Sequence, residues 1–215
     1  MRQREYQAII FDMDGTLLDT MHAWAQVDVD LLAAYGHTPH ETMREDIQGL
    51  TVAECAAFFR AHYRLPLTED EIVRTWDRLI AEFYQSKAAP KPGVRAFLER
   101  RRREGVPMCV ATGSYRSLAE SALDRLGLLP FFSFLLTVDE VGAGKNDPAI
   151  YLRCAQRLGC PPQECLVMED AQSAAAAAKS AGFLVWGIYD AYSHADWEHM
   201  QRTADRCFLS FAELD

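Results

Sequence analysis

Residues 8–20 read AIIFDMDGTLLDT, and this stretch decides how the rest of the chain is interpreted. The apolar residues 8–11 are typical of a buried strand, which ends abruptly at the carboxylates of Asp12 and Asp14. Two carboxylates at the end of a buried strand are costly unless a cation compensates their charge. Gly15 then lets the chain leave the strand in a tight turn. Taken alone, the stretch also fits an ordinary Asp-Gly turn.

The composition is that of an ordinary globular protein. The chain has 215 residues, of which 49 % are hydrophobic and 25 % charged, and its formal net charge is −9. This negative charge argues against binding to nucleic acid or to anionic membranes. No apolar run approaches the roughly 20 residues of a membrane span, and the polar N-terminus shows no secretory signal. The six cysteines form no CxxC pair, so we expect reduced thiols in a cytoplasmic protein.

The hydrophobic pattern divides the chain into two domains. Residues 19–86 carry apolar side chains at helical spacing, with no strand pattern between them, and are predicted to form a helical bundle. Residues 1–18 and 87–215 alternate between strand and helix patterns with short loops. This alternation predicts an α/β fold, a Rossmann-like core whose parallel sheet is covered by helices on both faces. The helical bundle is therefore inserted after the first strand.

Polar residues that suit a phosphate and a metal follow several later strands. Thr112 and Gly113 end one strand, Lys145 lies on a glycine-flanked loop, and Glu169 and Asp170 end another strand. Each alone fits a helix cap or a surface loop. Together with the two opening aspartates, they would face one crevice at the carboxyl edge of the sheet. Crowded carboxylates need a divalent cation, and all-oxygen ligands predict Mg²⁺.

The motifs DMDGT, ATGS, GAGK and MED, in this order and with a helical insert after the first, resemble the haloacid dehalogenase superfamily. More closely, the chain resembles the β-phosphoglucomutase-like phosphatases, in which the insert, here residues 19–86, is a cap over the active site. The resemblance covers essentially the whole chain. It implies Asp12 as nucleophile, Asp14 as general acid/base, Thr112, Gly113 and Lys145 as phosphate ligands, and Asp12, Asp14, Glu169 and Asp170 as metal ligands.

The activity that this resemblance implies is that of a Mg²⁺-dependent phosphatase. It would hydrolyse a small phosphorylated metabolite through an aspartyl-phosphate on Asp12. Two alternatives stay open: a sugar phosphomutase that uses the same phospho-aspartate, and a non-catalytic interaction protein on an inherited fold. A dehalogenase is disfavoured, because that chemistry lacks the protonating aspartate that Asp14 supplies.

The cap departs from the mutase pattern. Sugar-phosphate mutases carry a histidine ten residues after the second aspartate, and that position here is Trp24. They also present a basic pair on a substrate loop, which here contains no cation. We expect His22, Trp24, Gln48 and Gly49 to lie at the substrate end of the cap. Arg44 is the one cap arginine near that loop in sequence, so we expect hydrolysis of a substrate with a neutral or weakly polar leaving group.

Overall fold

The computed structural model describes residues 5–47 and 50–214, so the predicted cap residues Gln48 and Gly49 lie outside the described part of the chain. A six-stranded sheet forms its core, in the order β3-β2-β1-β4-β5-β6, and each neighbouring pair is parallel. The expected α/β fold is therefore confirmed. The strands are β1 (Ala8–Phe11), β2 (Met108–Thr112), β3 (Leu135–Thr137), β4 (Cys165–Glu169), β5 (Leu184–Ile188) and β6 (Arg206–Phe208).

Strand β1 is apolar throughout because helices cover both faces of the sheet. All four residues of β1 are buried. Ile9 and Phe11 belong to the hydrophobic cluster on one face, whereas Ala8 and Ile10 belong to the cluster on the other. Side chains alternate between the faces along a strand, and a strand buried on both faces reads as a continuous apolar run. This burial fixes β1 at the centre of the sheet, beside β2 and β4.

Four helices follow β1 and correspond to the predicted cap. Helix α4 packs against α1 and α3. Thr68 and Glu71 form a capping box at the start of α4, and Thr51 and Glu54 form a second one at the start of α3. The five-residue α2 was not predicted, because a segment this short shows no helical periodicity. The helices are α1 (Met21–Ala34), α2 (Met43–Ile47), α3 (Val52–His62) and α4 (Glu69–Ser86).

The remaining helices flank the sheet and connect its strands. They are α5 (Val94–Arg103), α6 (Arg116–Arg125), α7 (Val138–Val141), α8 (Ala149–Leu158), α9 (Gln172–Ser180) and α10 (Trp197–Thr203). Within the described ranges, no helix is both long and apolar enough to cross a membrane.

The two segments that join the cap to the core run side by side. Asp19 donates its backbone N–H to the carbonyl of Ala89 at 3.0 Å, and Lys91 donates its own to the carbonyl of Leu17 at 2.9 Å. Lys91 also forms a buried ion pair with Asp190, in which Nζ and Oδ2 are 2.7 Å apart. The paired segments therefore hold the start of α1 and the end of α4 beside the carboxyl edge of the sheet.

Candidate active site

The loop after β1 is held tightly against the end of β4. The backbone N–H of Asp12 donates to the carbonyl of Met168 at 3.0 Å. Gly15 has φ +85°, and a Cβ added there would lie 2.4 Å from Oδ2 of Asp170. Position 15 requires glycine for two reasons. Other residues rarely adopt this φ, and a side chain there would clash with Asp170. The opening motif and the acidic pair after β4 are thus parts of one site.

Three buried carboxylates meet at this edge of the sheet. Ligand oxygens of Asp12, Glu169 and Asp170 all lie within 4.8 Å of one another. Oδ2 of Asp12 and Oε2 of Glu169 are buried and have no hydrogen-bond partner. Buried carboxylate oxygens are normally paired or coordinate a metal, and hard oxygen ligands suit Mg²⁺. The residues present therefore fit a divalent cation.

Lys145 supplies the fixed positive charge of the site. Its Nζ lies 2.6 Å from Oδ1 of Asp12 and also contacts Oε1 of Glu169. Burial alone would lower the pKa of Lys145, but the two carboxylates outweigh it and raise that pKa. Tyr151 donates its hydroxyl to the same Glu169 oxygen at 2.6 Å. The loop after α7 thus brings an ammonium group to Asp12.

The surroundings of the acidic pair at the end of β4, Glu169 and Asp170, raise the pKa of both side chains. Burial raises the pKa of Glu169 to about 7, with the charge of Lys145 opposing this rise and that of Asp12 adding to it. Burial also raises the pKa of Asp170, and the neighbouring carboxylates raise it further. Thr16 and Ser193 donate their hydroxyls to Asp170, at 3.2 and 3.0 Å. Both carboxylates therefore resist ionisation unless a cation compensates them.

The carboxyl group of Asp14 is held by three hydroxyl groups. Its Oδ1 accepts hydrogen bonds from the hydroxyls of Thr20 at 2.6 Å and Tyr84 at 2.5 Å, and its Oδ2 accepts one from Ser114 at 2.7 Å. Burial raises the pKa of Asp14, although the three hydroxyls act against this. The chain has already turned out of the strand at this residue. In the part of the chain that the structure describes, the Asp14 side chain is accordingly not in the acidic group with Asp12, although we expected it among the metal ligands.

The loop after β2 approaches the same region. Thr112 is buried at the end of the strand, and its hydroxyl oxygen accepts the backbone N–H of Ser114 at 3.0 Å. Gly113 lines the cleft described below. Sequence reasoning missed the contact of Ser114 with Asp14, although this serine is the last letter of the ATGS motif. It also missed Tyr84, which lies 70 positions from Asp14 and carries no local signal.

A cleft of about 350 Å³ lies between the loops at the carboxyl edge of the sheet and the helices of the predicted cap. Trp24 lines it as predicted, on the face of α1 that it shares with Met21 and Asp28. His22 lies outside this cleft and is exposed, with Nδ1 3.6 Å from Oδ1 of Asp19. The expectation for His22 is therefore corrected, because one helical position turns a side chain by about 100° from its neighbour. Arg44 also lines the cleft, with its guanidinium 5.1 Å from the ring centroid of Tyr192.

Sequence comparison with known proteins finds hydrolases. The family described as haloacid dehalogenase-like hydrolase matches residues 6–182. A probable pseudouridine-5'-phosphatase of Drosophila melanogaster is 34 % identical over 193 residues, covering 87 % of this chain and 83 % of that protein. The fructose-1-phosphate phosphatase YqaB of Escherichia coli is 31 % identical over 183 residues, covering 82 % of this chain and 93 % of that protein.

Structural comparison agrees with the sequence comparison. CbbY from Rhodobacter sphaeroides, solved in complex with phosphate, matches with a TM-score of 0.85 and 27 % identity. The match covers 97 % of this chain and 96 % of that one, so it includes the cap helices as well as the sheet.

Proposed function

This chain belongs to the haloacid dehalogenase-like hydrolases, and we propose that it uses Mg²⁺ and an aspartyl-phosphate on Asp12 to hydrolyse a small phosphomonoester. The two relatives described above are named phosphatases, and this chain is a phosphatase of the same family. The observation that carries the mechanism is the position of Asp12. Its Oδ1 is paired with Lys145 while its Oδ2 is buried without a partner.

Asp12 is the nucleophile in this proposal. One of its carboxylate oxygens forms a bond to phosphorus while the bond between phosphorus and the leaving oxygen breaks. Asp12, Glu169 and Asp170 would hold the cation, which supplies charge neutralisation for the phosphoryl group. Lys145, Thr112 and the backbone N–H of Gly113 would stabilise the negative charge on the phosphoryl oxygens.

Asp14 moves the protons. In the first step it gives a proton to the leaving oxygen, so that an alcohol departs rather than an alkoxide. In the second step it accepts a proton from the water that attacks phosphorus, the bond to Asp12 breaks, and inorganic phosphate leaves. Burial keeps the pKa of Asp14 raised, which suits a group that must first be protonated. The hydroxyls of Thr20, Tyr84 and Ser114 hold its carboxyl group in place.

The cap helices would exclude water while the leaving group departs. Hydrolysis is favoured over the mutase alternative by the charges that line the cleft. A mutase must hold a second phosphate at the cap side, which needs several cations. Among the described cap residues that line the cleft, Arg44 is the one cation and Asp28 is an opposing anion.

The proposed function is tested by phosphate release from a panel of sugar phosphates, nucleotides and small organic phosphates. The wild-type protein should release phosphate from at least one ester, and Asp12→Asn should lower the rate by at least about 10²-fold. Asp19→Asn, which removes an exposed carboxylate from one of the two segments that join the cap to the core, serves as the control and should keep the wild-type rate. Equal phosphate release by Asp12→Asn and the wild type would overturn the proposal.

A further inference from the structure

Ser193 bonds the carboxylate of Asp170 from a part of the chain that lies outside the four sequence motifs. It belongs to a short 3₁₀ helix (Ala191–Asp196) that follows β5. Its hydroxyl donates to Oδ2 of Asp170 at 3.0 Å, and the hydroxyl of Thr16 donates to Oδ1 at 3.2 Å. The terminal torsion of an aspartate has no sharply preferred angle, so hydrogen bonds decide how its carboxylate is turned. Thr16 and Ser193 together therefore set the orientation in which Asp170 would meet a cation.

Residues 190–193, named the 190–193 loop below, are anchored to one of the segments that join the cap to the core. Oδ2 of Asp190 lies 2.7 Å from Nζ of Lys91, and Oδ1 of Asp190 accepts the backbone N–H of Tyr192 at 2.9 Å. The backbone N–H of Ser193 donates to the carbonyl of Asp190 at 3.1 Å. Asp190 and Ser193 are both buried. The backbone that carries the Ser193 hydroxyl is therefore held beside Lys91.

The cap contacts the 190–193 loop through Arg44. The guanidinium of Arg44, which lies on α2, is 5.1 Å from the ring centroid of Tyr192. Both side chains line the cleft, Arg44 from the cap and Tyr192 from the core. A guanidinium over an aromatic face is attracted to the ring. Because Tyr192 directly precedes Ser193 in the chain, a shift of α2 should displace the hydroxyl that bonds Asp170.

We propose that Ser193 is a positioning residue for the metal ligand Asp170, and that Arg44 acts on it from the cap through the ring of Tyr192. The ring contact steadies the 190–193 loop, and the loop keeps the Ser193 hydroxyl on the Asp170 carboxylate. The site should accordingly bind Mg²⁺ more tightly with Arg44 on the ring than with Arg44 displaced from it. This inference rests on the proposed function, since it concerns the cation that this function requires.

The charge of Arg44 has an effect of the opposite sign. Among residues 5–47 and 50–214, no hydrogen bond or ion pair joins Arg44 to Asp12, Glu169 or Asp170. At longer range a positive charge repels Mg²⁺, so its removal should strengthen metal binding. Loss of a positioning contact should weaken metal binding instead. The direction of the change in Mg²⁺ affinity therefore separates the two effects.

Titration of the metal-free protein with Mg²⁺, followed by calorimetry and without any phosphate ester, tests the role of Ser193. Ser193→Ala should raise the Kd for Mg²⁺ by about tenfold, because loss of a group that orients a metal ligand commonly weakens affinity this much. The Tm of the metal-free variant should stay close to that of the metal-free wild type. A lowered Tm with an unchanged Kd would show a purely structural role for Ser193 and overturn the inference.

Variants at the cap contact test the role of Arg44. Arg44→Ala and Tyr192→Leu should each raise the Kd for Mg²⁺ by about threefold, as expected for loss of an exposed cation–π contact. Tyr192→Phe keeps the ring and should leave the Kd unchanged. Arg60→Ala is the matched control, because Arg60 is an exposed cap arginine outside the cleft that pairs with Glu69 at 3.3 Å. It should also leave the Kd unchanged. An unchanged or lower Kd in Arg44→Ala would overturn the inference.

A double variant tests the route between the two residues. If Arg44 acts through Ser193, Arg44→Ala combined with Ser193→Ala should bind Mg²⁺ no more weakly than Ser193→Ala alone. A further loss of affinity in the double variant would mean that Arg44 acts by another route, and would overturn the inference.

The wild-type protein separates this inference from the proposed function. A wild type that binds no Mg²⁺ and releases no phosphate from p-nitrophenyl phosphate would contradict the proposed function. A wild type that binds Mg²⁺ with the same Kd as Ser193→Ala would overturn the inference alone.

Discussion

Tyr84 donates its hydroxyl to Oδ1 of Asp14 at 2.5 Å, and so joins a cap helix to the proposed general acid. The same hydroxyl accepts the indole N–H of Trp24 at 2.9 Å. Trp24 occupies the cap position at which sugar-phosphate mutases carry a histidine. Two aromatic side chains, Trp24 and Tyr84, therefore connect the cap to Asp14. A change in the position of the cap should change the orientation of Asp14.

Removal of the Tyr84 hydroxyl should slow the cleavage of esters whose leaving group needs a proton more than the cleavage of esters whose leaving group does not. In Tyr84→Phe, Asp14 keeps Thr20 and Ser114 but loses its bond to the cap. Protonation of the leaving oxygen matters for an alkyl phosphate and little for p-nitrophenyl phosphate, whose leaving group departs unaided. We expect the single-turnover rate to fall by about 10-fold or more for sorbitol 6-phosphate. The burst of p-nitrophenol should be nearly unchanged.

Tyr63→Phe is the matched control for this experiment. Tyr63 is another buried cap tyrosine, and its hydroxyl accepts the backbone N–H of His40 at 3.1 Å, away from the cleft. This variant should leave both rates unchanged. Equal slowing of both esters in Tyr84→Phe would mean that Tyr84 supports the fold and does not position the acid.

Metal removal should silence the enzyme and also destabilise it. We expect a bound cation to relieve the repulsion between the carboxylates. This expectation rests on the unpaired oxygens of Asp12 and Glu169 and on the raised pKa of Asp170. EDTA should abolish phosphate release, Mg²⁺ should restore it, and Mg²⁺ should raise the Tm of the metal-free protein. Asp170→Asn should weaken both effects. Full activity after dialysis against EDTA would contradict the metal assignment.

Gly15 should tolerate no side chain, because a Cβ would lie against Asp170. Gly15→Ala combines an unfavourable φ with this clash, whereas Gly36→Ala has a similar φ of +76° with nothing within 4 Å. We expect both variants to lose about 1 kcal/mol or more of unfolding free energy to the backbone. Only Gly15→Ala should also lose Mg²⁺ binding, measured by calorimetric titration. Normal binding in Gly15→Ala would show that the two motifs are not packed as described.

The products formed from one sugar phosphate distinguish a phosphatase from a phosphomutase. β-Glucose 1-phosphate should release inorganic phosphate, and a catalytic amount of glucose 1,6-bisphosphate should not redirect the product. The described residues of the cap that line the cleft include one cation, Arg44, and one carboxylate, Asp28. A second phosphate should therefore bind there poorly. Glucose 6-phosphate formed faster than inorganic phosphate would make the protein a mutase and Arg44 a binding residue.

The carboxylates of the site could be predicted from the sequence because they lie at the ends of strands. In a parallel sheet the carboxyl ends share one edge, so Asp12 and Glu169 had to converge once the strands were identified. Lys145 lies on the loop after α7, and its glycine-flanked position was the signal that singled it out. The cap could not be predicted to the same depth. The contacts of Tyr84 with Asp14, and of Trp76 and Asp28 with the cleft, depend on how α1, α3 and α4 pack together. No periodicity encodes that arrangement, so the sequence could not distinguish Trp24, which lines the cleft, from His22, which does not.

If Asp12 carries the phosphoryl group, acid quenching during turnover should trap a phosphoenzyme. The Asp14→Asn variant should accumulate this intermediate, because it lacks the base that activates water for the second step. With p-nitrophenyl phosphate, mass spectrometry should find one added phosphoryl group, located at Asp12 after proteolysis. Reduction with borohydride should convert that residue alone to homoserine. A phosphoryl group on any other residue, or steady turnover by Asp12→Asn, would rule out Asp12 as the nucleophile.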